Sequence, residues 1–336
     1  MNTPKSFNQK LIIAEVGSVH DGSFGNAIKI ISAAAKSGAD CVKFQTHIFE
    51  SESLSNAPSP KYFSDENRDE YFNRTAFNFD QWKKLKEECE RQNIIFLSSP
   101  FSNDAVDLLE ELNVFGYKIP SGEVTNIPLI EKIANIGKPV FISSGMSDWK
   151  ELDRAVKIIS NNCEIVIMQC SSIYPCPKES VGLNVIGEIK KRYSCAVGYS
   201  DHYEGIEAAI AAAALGATVI EKHFTFSKQM YGTDAQFATE PNEFSIMTKY
   251  IKNVWSMNDN PVDKNYIKKY NDMKKIFEKS IVASSDLKKG TIIEKQHLDF
   301  KKPGNGISSS KYDELIGLCI KKDMLKDEQF NIKHLE

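Results

Sequence analysis

The sequence predicts an α/β protein: a (β/α)8, TIM-type barrel followed by a small C-terminal domain. Three observations predict it. Short β-branched runs alternate with longer amphipathic stretches eight times over about 225 residues, a regularity that open doubly wound sheets seldom reach. No GxGxxG opens any helical stretch, so the main signature of the open dinucleotide-binding sheet is missing. Finally, the texture changes after residue 279, where SIVASSDLKKGTIIEKQHLDFKKPGNGIS brings short strands, a KKG turn and a Gly-rich loop.

Taken in order, the strand candidates are Leu11–Gly17 (LIIAEVG), 41–47 (CVKFQTH), 94–99 (IIFLSS), 116–120 (GYKIP) and 140–144 (VFISS). Glu164–Cys170 (EIVIMQC), 195–200 (CAVGYS) and 218–224 (TVIEKHF) complete the eight. Each is short, and most are rich in β-branched residues. Between them lie amphipathic stretches at 25–37, 80–92, 103–112, 147–160 and 205–215. Several begin near an Asp, Asn or Ser, and Gly38, Gly137 and Gly216 stand where such helices end. A last helix near 243–255 closes the pattern. Residues 256–279 are polar, Lys/Asn-rich and contain Pro261, which reads as a linker. The expected domains are a barrel over 1–258, a linker over 259–279 and a terminal domain over 280–336, too small for a large core of its own. The stretch 48–79 has no strand and only a weak helical pattern, a loop length that is usually functional or mobile.

Composition narrows the function classes. The formal net charge of −3 on 336 residues gives no general electrostatic case for nucleic acid or an anionic membrane as a partner. With 41% hydrophobic and 26% charged residues the chain is too apolar for disorder. Its seven cysteines form no CxxC pair, which argues against a zinc ribbon or a thioredoxin-like site. The polar start MNTPKSFNQK and the lack of an apolar run of ~18 residues lead to the expectation of a reduced, cytoplasmic protein with no membrane span.

Chemistry in this fold lies at the C-terminal mouth of the strands. Those ends carry Glu15; Lys43 and Gln45; Ser98 and Ser99; Lys118 and Ser121; Ser143 and Ser144; Ser171, Ser172 and Tyr174; Asp201 and His202; and Glu221, Lys222 and His223. Residues two apart on a strand share a face, so Lys43 pairs with Gln45, and Glu221 with His223. One terminal serine is an ordinary turn former. Polar or charged ends on all eight strands describe a hydrophilic, ligand-holding mouth. Two lysines ringed by hydroxyls suit a small multivalent anion such as a phosphate or carboxylate. His202 and His223 follow adjoining strands. Such imidazoles can chelate a divalent metal, and can equally serve as hydrogen-bonding residues.

IIAEVGSVHDG, ADCVKFQTH, YKIPSGEVTNIPLI, VFISSGM, CSSIYP, GYSDH and IEKHFT occur in that order. Together they resemble the sialic acid synthase family (N-acetylneuraminate and related nonulosonate synthases), and the tail is similar to that family's antifreeze-like (SAF) domain. The resemblance runs from about Leu11 to the end of the chain. It implies a transferase that condenses phosphoenolpyruvate with an N-acetylated aldose and needs Mn2+, or another divalent ion such as Mg2+ or Co2+. Carried over by motif, Lys43, Ser99, Lys118, Ser121, Ser143 and Ser172 would hold phosphoenolpyruvate. Glu15, Gln45, Tyr174 and Asp234 would face the sugar and the reacting carbons with Glu123 nearby, and His202 and His223 would be the metal ligands. A domain-swapped homodimer is likewise implied.

Three positions depart from the family pattern. Lys302-Pro303-Gly304 stands where members have Arg-Pro-Gly, an arginine that in the family reaches the sugar in the partner subunit. Lysine keeps the charge and loses the planar fork, and no arginine follows Arg192. YGTDAQFATEP replaces a more usual Gly-Pro-Asp version of the loop over the sugar, and Ser172 stands where some members have Asn. The acceptor is therefore open between N-acetylmannosamine and the 2,4-diacetamido-trideoxyhexoses of pseudaminate and legionaminate synthases. A phosphorylated-sugar condensing enzyme of the deoxyoctulosonate phosphate type would want a second phosphate clamp, and only Arg68 and Arg74 lie in a mouth-side loop. A non-catalytic sugar-binding barrel would tolerate loss of the lysines and histidines, all of which are present.

Overall fold

Alternation of side chains along parallel strands is the feature that builds both the core and the mouth of this protein. The computed structural model describes residues 5–58 and 66–336. The first four residues of the polar start, and 59–65 of the loop expected at 48–79, lie outside the described residues.

A two-residue strand, β1 (Lys5–Ser6), pairs with the start of β7. The barrel strands are β2 (Leu11–Gly17), β3 (Cys41–Thr46), β4 (Ile95–Pro100), β5 (Tyr117–Ile119), β6 (Val140–Ser143), β7 (Glu164–Cys170), β8 (Ala196–Asp201) and β9 (Val219–His223). Each pairs in parallel with the next, and β9 pairs back onto β2 at Leu11↔Val219, so the eight-stranded barrel closes. The helices are α1 (Phe24–Lys36), α2 (Phe49–Glu52), α3 (Arg68–Thr75), α4 (Phe79–Arg91), α5 (Asn103–Glu111), α6 (Ile127–Ile136), α7 (Trp149–Ile159), α8 (Asn184–Tyr193), α9 (Glu207–Ala214) and α10 (Pro241–Asp259). Two of them, α2 and α3, lie in the stretch whose helical pattern was weak in sequence. The mean hydropathy of α3, RDEYFNRT, is too low to announce a helix, yet it buries Tyr71, Phe72 and Thr75.

Start signals act as caps. Asn78 Oδ1 accepts from Gln81 N at 2.9 Å while Gln81 Oε1 accepts from Asn78 N at 3.0 Å. Asp148 and Glu151 repeat the arrangement on α7. Such a cap contributes about 1 kcal/mol to its helix. Outward strand residues such as Ile12, Val42, Phe44 and Ile220 pack against the helices. Inward ones fill the floor: Leu11, Ile13, Cys41, Leu97, Phe141, Val166, Met168, Ala196 and Val219, with Phe7 packed among them. Phe7 meets Phe141 edge-on at 5.2 Å and Phe115 at 6.2 Å.

The chain divides into two compact units, Met1–Asn260 and Pro261–Glu336. The second carries α11 (Asn271–Phe277), a short helix inside the stretch read as linker, and an antiparallel pair, β10 (Ser280–Ala283) and β11 (Leu298–Lys301). Ile281, Ile293, Leu298, Ile320, Met324 and Phe330 form its small core. Among the described residues no helix is long and apolar enough to cross a membrane, and no cysteine is disulfide-bonded.

Candidate active site

Moving up the inward face of each strand, the residues change from apolar to polar. Leu11 and Ile13 are followed by Glu15, Cys41 by Lys43 and Gln45, Leu97 by Ser99, Phe141 by Ser143, Met168 by Cys170, and Val219 by Glu221 and His223. The period of two that points the first set into the floor points the second into the mouth. There they border a cavity of about 460 Å3. All of the residues carried over from the family motifs line it except Ser99 and Lys302, whereas the strand-end residues Ser98, Ser144, Ser171, Asp201 and Lys222 do not. Ser99 is buried beside Lys43. Lys302 belongs to the second unit, its Nζ 5.2 Å from the centroid of the Phe277 ring.

Four charged groups meet at the base of the cavity, all buried. Lys43 Nζ lies 2.8 Å from Glu15 Oε2, donates to Ser99 Oγ at 3.3 Å and sits 3.9 Å from Glu221 Oε1. Lys118 Nζ donates to Ser143 Oγ at 2.6 Å and lies 3.7 Å from the same Glu221 oxygen, which also accepts from Ser200 Oγ at 3.0 Å. Gln45 Nε2 donates to Glu15 Oε1 at 2.9 Å.

Burial is the largest influence on each group, and the neighbours decide the outcome. For Glu15, burial reinforced by the charge of Glu221 holds the carboxyl above its ordinary range in spite of Lys43. Burial acts on Glu221 in the same direction, but Lys118 and Lys43 outweigh it and hold this carboxyl low. Burial pulls Lys118 down, and Lys43 adds to the effect against the opposing charge of Glu221. Lys43 is raised, because Glu15 and Glu221 together overcome its burial. Two carboxyls pushed apart in this way divide the work: Glu221 is a standing counter-charge, and Glu15 is the group able to carry a proton.

His202 and His223 face each other across the β8 and β9 ends, ring centroids 5.6 Å apart. His202 Nδ1 lies 2.8 Å from the Ser171 carbonyl, an acceptor, so this nitrogen carries the hydrogen; Nε2 lies 3.0 Å from Tyr174 Oη. Burial would lower His202, but Cys170, 3.8 Å from its Nδ1, outweighs it together with the Ser171 carbonyl and Asp201, and the imidazole is raised. His223 is lowered to about 4, by burial first. Its Nδ1 and Glu221 Oε2 are buried without a hydrogen-bond partner. A neutral imidazole with an orphaned nitrogen beside a second imidazole is a donor set that fits a divalent transition ion. Among the described residues no group of three or more His, Cys, Asp and Glu could hold a metal. The two imidazoles would therefore need water or substrate oxygens to complete a shell.

The rim is assembled from the segments that follow six of the strands. Asp234 Oδ2 accepts from the amide and the hydroxyl of Ser18, both at 3.0 Å. The approach requires glycine at 17, where φ is +52° and a Cβ would lie 2.4 Å from that Asp234 oxygen. Tyr71, from α3, binds Ser18 and Thr233 through its hydroxyl. On the opposite side Ser121 Oγ accepts from Gly145 N at 3.1 Å, and a Cβ on Gly145 would come 2.4 Å from Ser172 Oγ. Glu123 accepts from Asn126 Nδ2 at 2.8 Å, and burial raises its carboxyl.

Sequence reasoning missed His47, Tyr71, Cys170 and Ser200 as cavity residues. Parity could have found three of them: His47 follows Gln45 by two, and Cys170 and Ser200 follow inward Met168 and Gly198. His47 is stacked between Phe72 and Phe101, both at 4.1 Å, with Nδ1 2.8 Å from Glu52 Oε1. Tyr71 comes from a helix with no readable signal. Asp201 and Lys222, also at strand ends, belong to the outward set.

A closed parallel barrel with buried lysines, carboxyls and imidazoles gathered at its C-terminal mouth has the site architecture of a barrel enzyme. Residues 30–263 match the NeuB family and 278–336 match the SAF domain. The chain belongs to the NeuB family, the nonulosonate synthases. The N,N'-diacetyllegionaminic acid synthase of Campylobacter jejuni is 37% identical over 327 residues, 95% of this chain and 98% of that protein. The human N-acetylneuraminate-9-phosphate synthase is 33% identical over 296 residues, 86% and 82% of the two chains. The solved structure of the sialic acid synthetase from Leptospira borgpetersenii, in complex with citrate, is similar with a TM-score of 0.71 at 27% identity, covering 81% of this chain and 95% of that one.

Proposed function

We propose that this chain condenses phosphoenolpyruvate with an N-acetylated aldose and water, giving a nine-carbon 2-keto sugar acid and phosphate. The observation that carries the reading is the pair of buried lysines, Lys43 and Lys118, aimed into the same cavity as His202 and His223. Together with Ser99, Ser121, Ser143 and Ser172 they supply the donors that a carboxylate and a phosphate need. Lys118, whose charge burial disfavours, gains most from an arriving dianion.

His202 and His223 would hold the divalent cation, Mn2+ or alternatively Mg2+ or Co2+, which when bound would polarise the acceptor aldehyde as a Lewis acid. The chain's own residues serve the remaining steps. Carbon 3 of the enol phosphate forms a bond to the aldehyde carbon as the carbonyl π bond opens and its oxygen takes up a proton; water adds at carbon 2, and phosphate leaves with the electron pair of its bond to that carbon. Glu15, oriented by Gln45 at 2.9 Å, takes a proton from the water or the resulting hydroxyl. Tyr174, Asp234 and Glu123 face the acceptor. Between N-acetylmannosamine and a 2,4-diacetamido-trideoxyhexose, the 37% identity to the Campylobacter legionaminic acid synthase, against 33% to the human N-acetylneuraminate-9-phosphate synthase, favours the second.

Phosphate release from phosphoenolpyruvate with Mn2+ tests the proposal against N-acetylmannosamine, two diacetamido-trideoxyhexoses, mannose and arabinose 5-phosphate, with products identified by mass. Turnover with one unphosphorylated N-acetylated aldose is expected. No turnover, with neither phosphoenolpyruvate nor Mn2+ bound, would overturn the reading.

A further inference from the structure

One buried charge pair lies outside the chemistry described above. The β8–β9 ladder ends at Asp201↔Lys222, one residue short of His202 on one strand and of His223 on the other. Both side chains point outward, away from the cavity, and are essentially fully buried, at 0% and 1% exposure. Lys222 Nζ donates to Asp201 Oδ2 at 2.8 Å and to the Tyr203 carbonyl at 2.6 Å. The other oxygen, Asp201 Oδ1, accepts from Tyr203 N at 3.0 Å and from Tyr199 Oη at 3.1 Å. The pair therefore ties β8 to β9 and also holds the chain on the far side of His202, so that this histidine is bracketed by anchored neighbours.

Stability alone does not account for such a pair. Apolar residues of similar volume commonly replace a buried ion pair at no cost, because two charges lose their hydration when buried. What an ion pair gives that an apolar contact does not is direction, since it specifies which atoms of the two strands lie opposite one another. Here the atoms specified are those immediately before the two imidazoles, and the imidazoles project to the opposite face by the alternation of the strand. Lys222 is also unlike Lys43 and Lys118, since it reaches no ligand space and its acceptors are the neighbouring strand and loop.

We propose that Asp201 and Lys222 are positioning residues that fix the spacing of His202 and His223 and thereby set the affinity of the divalent-cation site. The inference rests on the metal reading given under the proposed function. Outer-shell partners of metal-binding histidines usually act through the ring itself; this pair acts through the backbone of both ligands at once.

The test is Mn2+ binding to the full-length, metal-stripped protein, followed by electron paramagnetic resonance, with thermal unfolding of the same samples. Asp201→Asn/Lys222→Met keeps an acceptor for Tyr199 and Tyr203 N and removes the cross-strand tie. Its Mn2+ dissociation constant is expected to rise 10- to 100-fold, the range seen for outer-shell changes, while the Tm of the metal-free protein stays within a few degrees. Tyr199→Phe removes one hydrogen bond to Asp201 and is expected to weaken binding two- to fivefold; it decides the matter should the double variant fail to fold. Parent-like affinity in whichever variant is folded would overturn the positioning role. Equal Mn2+ binding by the parent and by His202→Ala would instead overturn the metal reading, so the two failures are distinct.

Discussion

Replacing Lys43 by methionine isolates the charge balance at the base of the cavity. The substitution keeps most of the aliphatic stem and removes the cation that lies 2.8 Å from Glu15 Oε2 and 3.9 Å from Glu221 Oε1. At 2.8 Å and an effective dielectric constant near 20, the Lys43–Glu15 attraction is roughly 6 kcal/mol before desolvation is charged against it. Lys118 remains, 3.7 Å from Glu221, so Glu221 keeps a partner and Glu15 is the carboxyl left stranded. Removing one member of a buried pair costs about 3–5 kcal/mol. For a unit of this size that lowers Tm by roughly 10 °C. Glu15 can escape the cost by taking a proton. Its folded carboxyl is already held above the ordinary 4.5, chiefly by burial, so its stabilising contribution belongs to the protonated form. That contribution is present below 4.5 and is lost as pH rises through the folded value. The Tm deficit of Lys43→Met should therefore be small in mild acid and deepen toward pH 8. Glu15→Gln/Lys43→Met, which has no stranded charge, should recover most of the loss while remaining inactive. Calorimetry of the four proteins between pH 5.5 and 8.5 measures the cycle. If Lys43→Met melted within about 2 °C of the parent at pH 8, or the double variant melted no higher than the single one, the reasoning would be refuted.

Two further outcomes come from the rim and the loop behind it. His20 is lowered from 6.5 to about 4, by burial first and with Arg74 adding to it against Asp234. Its contribution to stability is present above pH 6.5 and is lost as pH falls toward 4, at most roughly 3 kcal/mol; His20→Gln should flatten the acid limb of a Tm-versus-pH curve, and an unchanged limb would assign it to other groups. Gly17→Ala forces a side chain into the left-handed region at φ +52° and 2.4 Å from Asp234 Oδ2. About 1–2 kcal/mol of strain should accompany displacement of Asp234, seen as a roughly tenfold higher acceptor KM with phosphoenolpyruvate affinity unchanged; an unchanged acceptor KM would mean that Asp234 does not face the sugar.

Much of the barrel could be read before any coordinates because its strands are buried on both faces and carry strong apolar runs. Leu11–Gly17 and Glu164–Cys170 match the expected bounds, and the other strands shift by a single residue at one or both ends. The base of the site was legible for a related reason. A lysine at the third residue of a buried strand, as in CVKFQTH, interrupts a run whose neighbours Cys41, Val42 and Phe44 are apolar and fully buried. Elements whose sequence carries no such contrast stayed hidden. Helix α3 is polar along most of its length and is held by Tyr71 and Phe72 packing after the chain has folded back. Helix α11 lies in a Lys/Asn-rich stretch that reads as linker and buries none of its residues. The outward pair Asp201–Lys222 was seen as two polar strand ends, and only the register places them opposite each other. The floor contribution of Phe7 was invisible because it precedes the first strand of the barrel.

That floor has a kinetic consequence. Phe7 and the apolar layer above it fill the floor of the barrel, so a ligand reaches the lysines from the mouth. Lys43 stands two residues below Gln45 on the same strand face, about 7 Å deeper at the usual rise per residue. A ligand seated on the lysines is then overlaid by whatever occupies the level of Gln45, His202 and Asp234. On the proposed function, first in should therefore be last out, an order of arrivals and departures that follows from the depth difference between the two levels.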